Sequence, residues 1–170
     1  MIYLAGIFAV AVGVFLDQFT KYLAENHLKE QSIPIIEGVF RLQYLENRGA
    51  AFGLLQNQQL FFLLVGIITL VLIAYLYVRI PHTKRFLPLR ICMISICAGA
   101  VGNMIDRIRL EYVIDFLYFE LIDFPIFNVA DIYATVATFG LIILFLFYYK
   151  EEDLDVVFDL FSRNRKREQE

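Results

Sequence analysis

Four apolar stretches divide this chain, and most of its charged residues fall between or after them. Residues 1–16 carry no charge before Asp17, and residues 60–78 run uncharged from Leu60 to Val78 before Arg79. A third stretch covers about 86–105 with Arg90 near one end, and a fourth runs from Ile132 to Tyr149 before Lys150. Each approaches the roughly 20 residues that cross a hydrocarbon core, although the first is short. The pattern therefore predicts four transmembrane helices. A cleaved leader would also begin with an apolar run, but this one has no basic region before it and ends in Asp17-Gln18 with no small-residue cleavage site, so a retained helix is expected.

The segments between the spans have patterns of their own. Residues 33–45 (Ile-Pro-Ile-Ile-Glu-Gly-Val-Phe-Arg-Leu-Gln-Tyr-Leu) are β-branched and aromatic, alternate through Phe40, Leu42 and Tyr44, and offer Glu37-Gly38 as a turn. They predict a small β-hairpin. Asn47-Arg48-Gly49-Ala50-Ala51-Phe52-Gly53 reads first as a tight turn into the second span, with Asn47 carrying both a donor and an acceptor. Beyond Lys150, Leu154, Val157, Phe158 and Phe161 recur at helical spacing before Arg163, Arg165, Lys166 and Arg167. That tail, 151–170, is either an amphipathic helix on the inner leaflet, each basic residue adding about 1 kcal/mol of attraction to anionic lipid, or a solvated extension. The fold class is an all-α integral membrane protein with a small extracytoplasmic β-element. Residues 1–150 form one domain, with outer loops at 22–58 and 106–131.

Charge placement orients the spans. Arg79, Lys84, Arg85 and Arg90 follow the second span and Lys150 with the tail cations follows the fourth, so those ends and both termini are expected in the cytoplasm. Composition agrees with membrane residence: 59% of the 170 residues are hydrophobic and the formal net charge is -3, which gives no reason to expect nucleic acid as a partner. Cys92 and Cys97 lie inside an apolar stretch and read as packing residues, with no disulfide framework.

Against this background the acids stand out. Asp115, in Val113-Ile114-Asp115-Phe116, and Asp131, in Phe127-Asn128-Val129-Ala130-Asp131, sit at the rims of apolar segments, where an ionisable residue usually marks function. Two carboxylates sharing one proton make the general acid/base pair of an aspartic protease. Pro125 lies between them, so they can meet only through a turn. Asp131 could instead cap the fourth helix, as could Asn128; Asp115 has no comparable structural role. Asn103, Asp106 and Arg107 share one helical face, where Asp106 is as readily an internal ion-pair partner as a catalytic group, and Asp123 beside Pro125 reads as a turn residue. His27 and His82 are expected on opposite sides of the membrane, and the His/Cys inventory offers no metal centre at the outer face, so neither a Ser/His mechanism, a metal nor a cofactor is expected.

Five blocks, Asp17-Gln18-Phe19-Thr20-Lys21, Asn47 to Phe52, Gly102-Asn103-Met104-Ile105-Asp106-Arg107, Val113 to Phe116 and Phe124 to Asp131, together resemble the bacterial lipoprotein signal peptidase, or signal peptidase II, family over residues 1 to about 150. The resemblance implies a four-helix inner-membrane aspartic protease with a β-cradle on its outer face. It implies diacylglyceryl-modified prolipoproteins as substrates, cleavage on the amino side of the lipidated cysteine, membrane lipid as a partner, inhibition by globomycin and a monomeric state. By position, Asp115 and Asp131 match the catalytic dyad; Asn103, Arg107 and Asn128 match residues lining the site; Asp17, Lys21 and Asn47 match supporting residues. Ile132 stands where the family commonly has Ser, and the tail is longer than expected. Two other classes remain: a small proton-coupled transporter or channel subunit, which would spread its acids through the bilayer depth, and a structural scaffold, which would leave the five blocks idle.

Overall fold

The computed structural model describes residues 1–49 and 55–156. Helices form on all four apolar stretches, and two continue past the charges at which the sequence pattern stops. α1 spans Ile2–His27. It runs through Asp17 and Lys21 because both side chains are buried and paired, leaving no bare charge toward lipid. This corrects the expected end of the first span at residue 16 and the start of the outer loop at residue 22. α2 is Gln59–Arg79, and α3 is Leu87–Leu110, entered through a 3-10 turn at Lys84–Phe86 with proline in its first turn, where the missing N–H is harmless. α3 passes the expected boundary at Ile105, carries Asp106 and Arg107 as helical residues, and stops at Glu111, whose φ of 64° ends the helical path. α4 is Val129–Ile143, prolonged by a wide turn over Leu144–Tyr148.

α3 is the central post, packed by α1, α2 and α4. Lipid is as apolar as leucine, so close backbone approach has to supply helix association. Small residues provide it: Gly13 faces Ala98, Gly66 faces Met104, and Gly99 lies against the backbone of Ala130. Phe8, Phe15, Leu64, Ile68 and Phe139 point outward, as expected where hydrocarbon is the solvent. Cys92 and Cys97 are free and partly buried, and Cys97 packs beside Ile73, Leu89 and Met93.

β1 (Ile33–Ile36) and β2 (Phe40–Asn47) form the expected hairpin, turning at Gly38 with φ +69°, a conformation that suits glycine. A third strand, β3 (Val113–Tyr118), pairs antiparallel with β2, with Leu45 opposite Asp115 and Asn47 opposite Val113. Asp115 therefore lies in a sheet, not at the rim of a span.

At the other end of the bundle, buried Arg90 donates to the carbonyls of Tyr77 (3.1 Å) and Ile80, two of those that the end of α2 leaves without helical partners. Arg85 donates to the Tyr148 carbonyl, pairs with Asp153 at 2.7 Å and lies over the Tyr148 ring. The arginine holds the Asp153 carboxyl below its ordinary value. Residues 151–156 are helical, and Leu154 packs against the cluster containing Phe86 and Tyr149. Ala50, Ala51, Phe52 and Gly53, like Val157, Phe158, Phe161 and the basic residues after them, lie outside the described residues.

Gly102 faces the Asp17 carboxylate and Ala130, so Gly102→Val should overpack this junction by about 1–3 kcal/mol. That exceeds the ~1 kcal/mol at most gained by removing a helical glycine. The expected result is a lower midpoint of thermal unfolding in detergent; an unchanged midpoint would show that the junction yields.

Candidate active site

Alternation along β3 aims its side chains. Ile114 and Phe116 pack with Ala24 of α1 and Leu28 just after it, while Val113 and Asp115 face a cavity of about 550 Å³. Asp131 at the start of α4, Asn103 and Arg107 on α3, and Asn47 at the end of β2 line the same cavity. Phe62, Phe124, Ile132 and Val136 supply its apolar walls.

Asn128 and Asp131 form a capping box. The Asn128 Oδ1 accepts the Asp131 N–H at 3.0 Å, and the Asp131 Oδ2 accepts the Asn128 N–H at 3.1 Å. Asn128 is thus the capping residue, and Asp131 keeps its second oxygen for Asn103, whose Nδ2 donates to Oδ1 at 2.8 Å. Capping and cavity-lining roles coexist in one carboxylate. Asn128 also reaches the other acid: its Nδ2 donates to Asp115 Oδ1 at 2.6 Å, while Asn47 Nδ2 donates to Asp115 Oδ2 at 2.8 Å. Asn47 also accepts the Gly49 N–H at 2.9 Å; the rest of the expected turn lies outside the described residues.

Asp115 is 1% exposed. Its pKa is raised to about 7, first by burial and then by the negative charge of Asp131, against the opposing pull of the Asn47 and Asn128 amides and of Lys21. A carboxyl so placed is suited to carry a proton at neutral pH.

Behind the cavity lies a second polar layer. Lys21 Nζ sits 2.9 Å from Asp17 Oδ2 and 2.8 Å from Asp106 Oδ2, and donates to Asn103 Oδ1 at 2.8 Å. Asp17 accepts the Ala130 N–H at 2.9 Å, and Asp106 accepts the Ile114 N–H at 3.2 Å. Asp106 therefore takes the ion-pair reading. Gln18, whose Nε2 donates to Asp106 Oδ1 at 2.8 Å, completes the layer; its place beside Asp17 in the first block was the only sequence signal for it. The contacts of Gly99 and Gly102 with the start of α4 had none beyond small size.

Arg107 lies over the Phe62 ring at 4.7 Å, and its hydrogen bonds among the described residues are long, 3.4 Å each, to the carbonyls of Asn103 and Gly49. Its Nε is buried with no hydrogen-bond partner among the described residues. Asp123 sits in a turn with φ 49° and accepts from the Tyr118 hydroxyl. Among the described residues no group of three or more His, Cys, Asp or Glu side chains is arranged to hold a metal ion. His27 closes α1 at the sheet end, and His82 bonds Tyr3 at the opposite end.

The model of the family described as signal peptidase (SPase) II matches residues 9–147. A lipoprotein signal peptidase from Caldanaerobacter subterraneus subsp. tengcongensis is 44% identical over 140 residues, covering 81% of this chain and 93% of the relative. Another from Streptococcus thermophilus is 43% identical over 146 residues, covering 85% and 92%. Two solved bacterial membrane enzyme structures superpose with TM-scores of 0.76 and 0.73, each 31% identical, covering 86% and 85% of this chain and 92% and 94% of theirs. The transporter or channel reading finds no support among these relatives. With the match running through all four spans and the sheet, the chain belongs to the signal peptidase II family.

Proposed function

We propose that Asp115 and Asp131 are the acid/base pair with which this signal peptidase II family member removes signal peptides from prolipoproteins. The observation that carries the assignment is one cavity receiving two carboxylates from separate elements, the Asp115 carboxylate accepting from the Asn128 side chain and the Asp131 carboxylate from the Asn128 backbone N–H. Asp115 holds the shared proton and donates it in a hydrogen bond to the scissile carbonyl oxygen. Asp131 takes a proton from a water molecule, whose oxygen attacks the carbonyl carbon. With the Asp115 proton passed to the carbonyl oxygen the intermediate is a gem-diol; on its collapse the C–N bond breaks, Asp131 gives its proton to the amine nitrogen, Asp115 recovers a proton from a diol hydroxyl, and the departing signal peptide ends in a new carboxyl group. No covalent enzyme intermediate, metal or cofactor enters these steps. Asn47, Asn103 and Asn128 keep the carboxylates oriented. Arg107, whose Nε has no partner among the described residues, is suited to a substrate carbonyl, and its planar fork reaches more than one acceptor.

The substrate class is the diacylglyceryl-modified precursor, cut on the amino side of its lipidated cysteine. The apolar cavity walls at Phe62, Phe124, Ile132 and Val136 suit acyl chains, and anchoring in the bilayer confines the search to two dimensions. The basic residues after α2 and α4 support a cytoplasmic position for that end, both termini and the 151–170 tail, with the cavity at the extracytoplasmic face of the inner membrane. Residues 1–150 then act as one monomeric peptidase domain, with the sheet as the cradle over the scissile bond.

Asp115→Asn and Asp131→Asn should each lower cleavage of a lipidated precursor by at least ~10²–10⁴-fold with insertion unchanged; full activity in either variant would refute the pair. Because Asp115 acts protonated and its pKa is about 7, kcat/KM should fall as pH rises through about 7. A profile flat from neutral to alkaline pH would remove Asp115 from the acid role. Globomycin should block cleavage by the purified protein, and uninhibited turnover would count against the shared substrate cavity.

A further inference from the structure

A second cavity, of about 460 Å³, opens between α1 and α2, which both pack on α3 with little contact between themselves. Its walls include Ile7 and Val10 of α1, Leu70 and Ala74 of α2, and Ile94 and Cys97 of α3. Toward the dyad it is closed where Gly66 meets Met104, one turn beyond its lining residues Leu70 and Val101; a Cβ on Gly66 would stand 2.6 Å from the Met104 sulfur. The two cavities are therefore separate.

The far end is different in character. Tyr3 and Tyr77 line it, and among the described residues theirs are the only hydroxyls there. The Tyr3 hydroxyl is hydrogen-bonded to His82 Nε2 at 2.9 Å, and the rings stand edge to face at 5.1 Å. His82 and Lys84 are exposed in the short connection from α2 to α3, just after Arg79. Arg85 is paired with Asp153 and Arg79 lies over the Tyr75 ring, so the groups that bear on a ligand at this rim are the His82 imidazole and the exposed Lys84 ammonium.

An apolar slot under a basic, hydroxyl-bearing rim has the chemistry of one acyl chain below one phosphate. Size disfavours the substrate's helical signal segment as an occupant. A helix about 10–12 Å across with a 5.4 Å pitch fills about 400–600 Å³ per turn, so the slot would take about one turn of it. An extended acyl chain needs no such width and presents no backbone polar groups to an apolar wall. We propose that this cleft binds a single anionic phospholipid of the leaflet remote from the dyad, with one acyl chain between α1 and α2 and the phosphate at Tyr3, His82 and Lys84. The reading depends on membrane residence and not on the catalytic assignment, so it can fail while that assignment stands.

Thermal unfolding of the full chain in detergent, with phosphatidylglycerol or phosphatidylcholine added, tests it. Phosphatidylglycerol should raise the midpoint by several degrees more than phosphatidylcholine. Ala74→Phe, which fills the slot, should abolish that difference while cleavage of a lipidated precursor persists as proof of folding; Val10→Phe, from the opposite wall, repeats the test should the first variant misfold. His82→Ala with Lys84→Glu should remove the preference for phosphatidylglycerol and leave the phosphatidylcholine response in place. Equal shifts from the two lipids, or an undiminished difference in both slot-filling variants, overturns the proposal. A rise in KM for the precursor in Ala74→Phe with the lipid response intact would assign the cleft to the signal segment and overturn it as well.

Discussion

The ammonium group of Lys21 is the interaction on which the rest of the structure depends. It is buried, it lies between the carboxylates of Asp17 and Asp106, and it donates to Asn103. Buried ion pairs contribute little net stability, because desolvation offsets attraction, but losing one partner costs about 3–5 kcal/mol. What this cluster supplies is position. Asp17 also binds the Ala130 N–H, and Asp106 the Ile114 N–H, so α1, α3, the start of α4 and the start of β3 meet around one charge. The extra negative charge of two acids against one ammonium is spread over the backbone donors and the Gln18 amide.

From that cluster the geometry of the dyad follows in two steps. With its oxygen taken by Lys21 and by Asn128, Asn103 can offer only its NH₂ to Asp131. Asn128, with its oxygen on the Asp131 N–H, offers its NH₂ to Asp115 and Asn103. Each amide is oriented by its neighbours, so the donors toward both acids are set before any substrate arrives, as electrostatic preorganisation requires. Burial then raises the Asp115 pKa to about 7, which suits the proton-carrying part proposed for it.

Much of this was legible in the sequence. Charge-free runs located the four spans, the Glu37-Gly38 turn located the hairpin, and the cost of acids beside apolar segments singled out Asp115 and Asp131. What escaped depends on partners remote along the chain. α1 and α3 outrun their apolar stretches because Asp17, Lys21 and Asp106 neutralise one another across helices, which periodicity within one helix cannot reveal. β3 was invisible because its six residues read as the end of an apolar run until β2 pairs with them. Asp131 was weighed as a cap or a catalytic group; one of its oxygens joins the capping box and the other accepts from Asn103 at the cavity, so the first reading does not displace the second. Gly99 and Gly102 matter through what they touch, and composition alone is silent on that.

α4 is pinned at both ends. Its first turn is locked by the Asn128 cap, and the Tyr148 carbonyl that ends its wide last turn is gripped by Arg85. Moving Asp131 along the helix axis would have to break both attachments together. Asp115 is moored differently, in a strand whose backbone is tied to the Asp106 carboxylate and the Phe127 carbonyl and whose register against β2 shifts between Leu42 and Leu45. The two acids thus hang from separate moorings, one at the two ends of a helix and the other along the edge of a sheet.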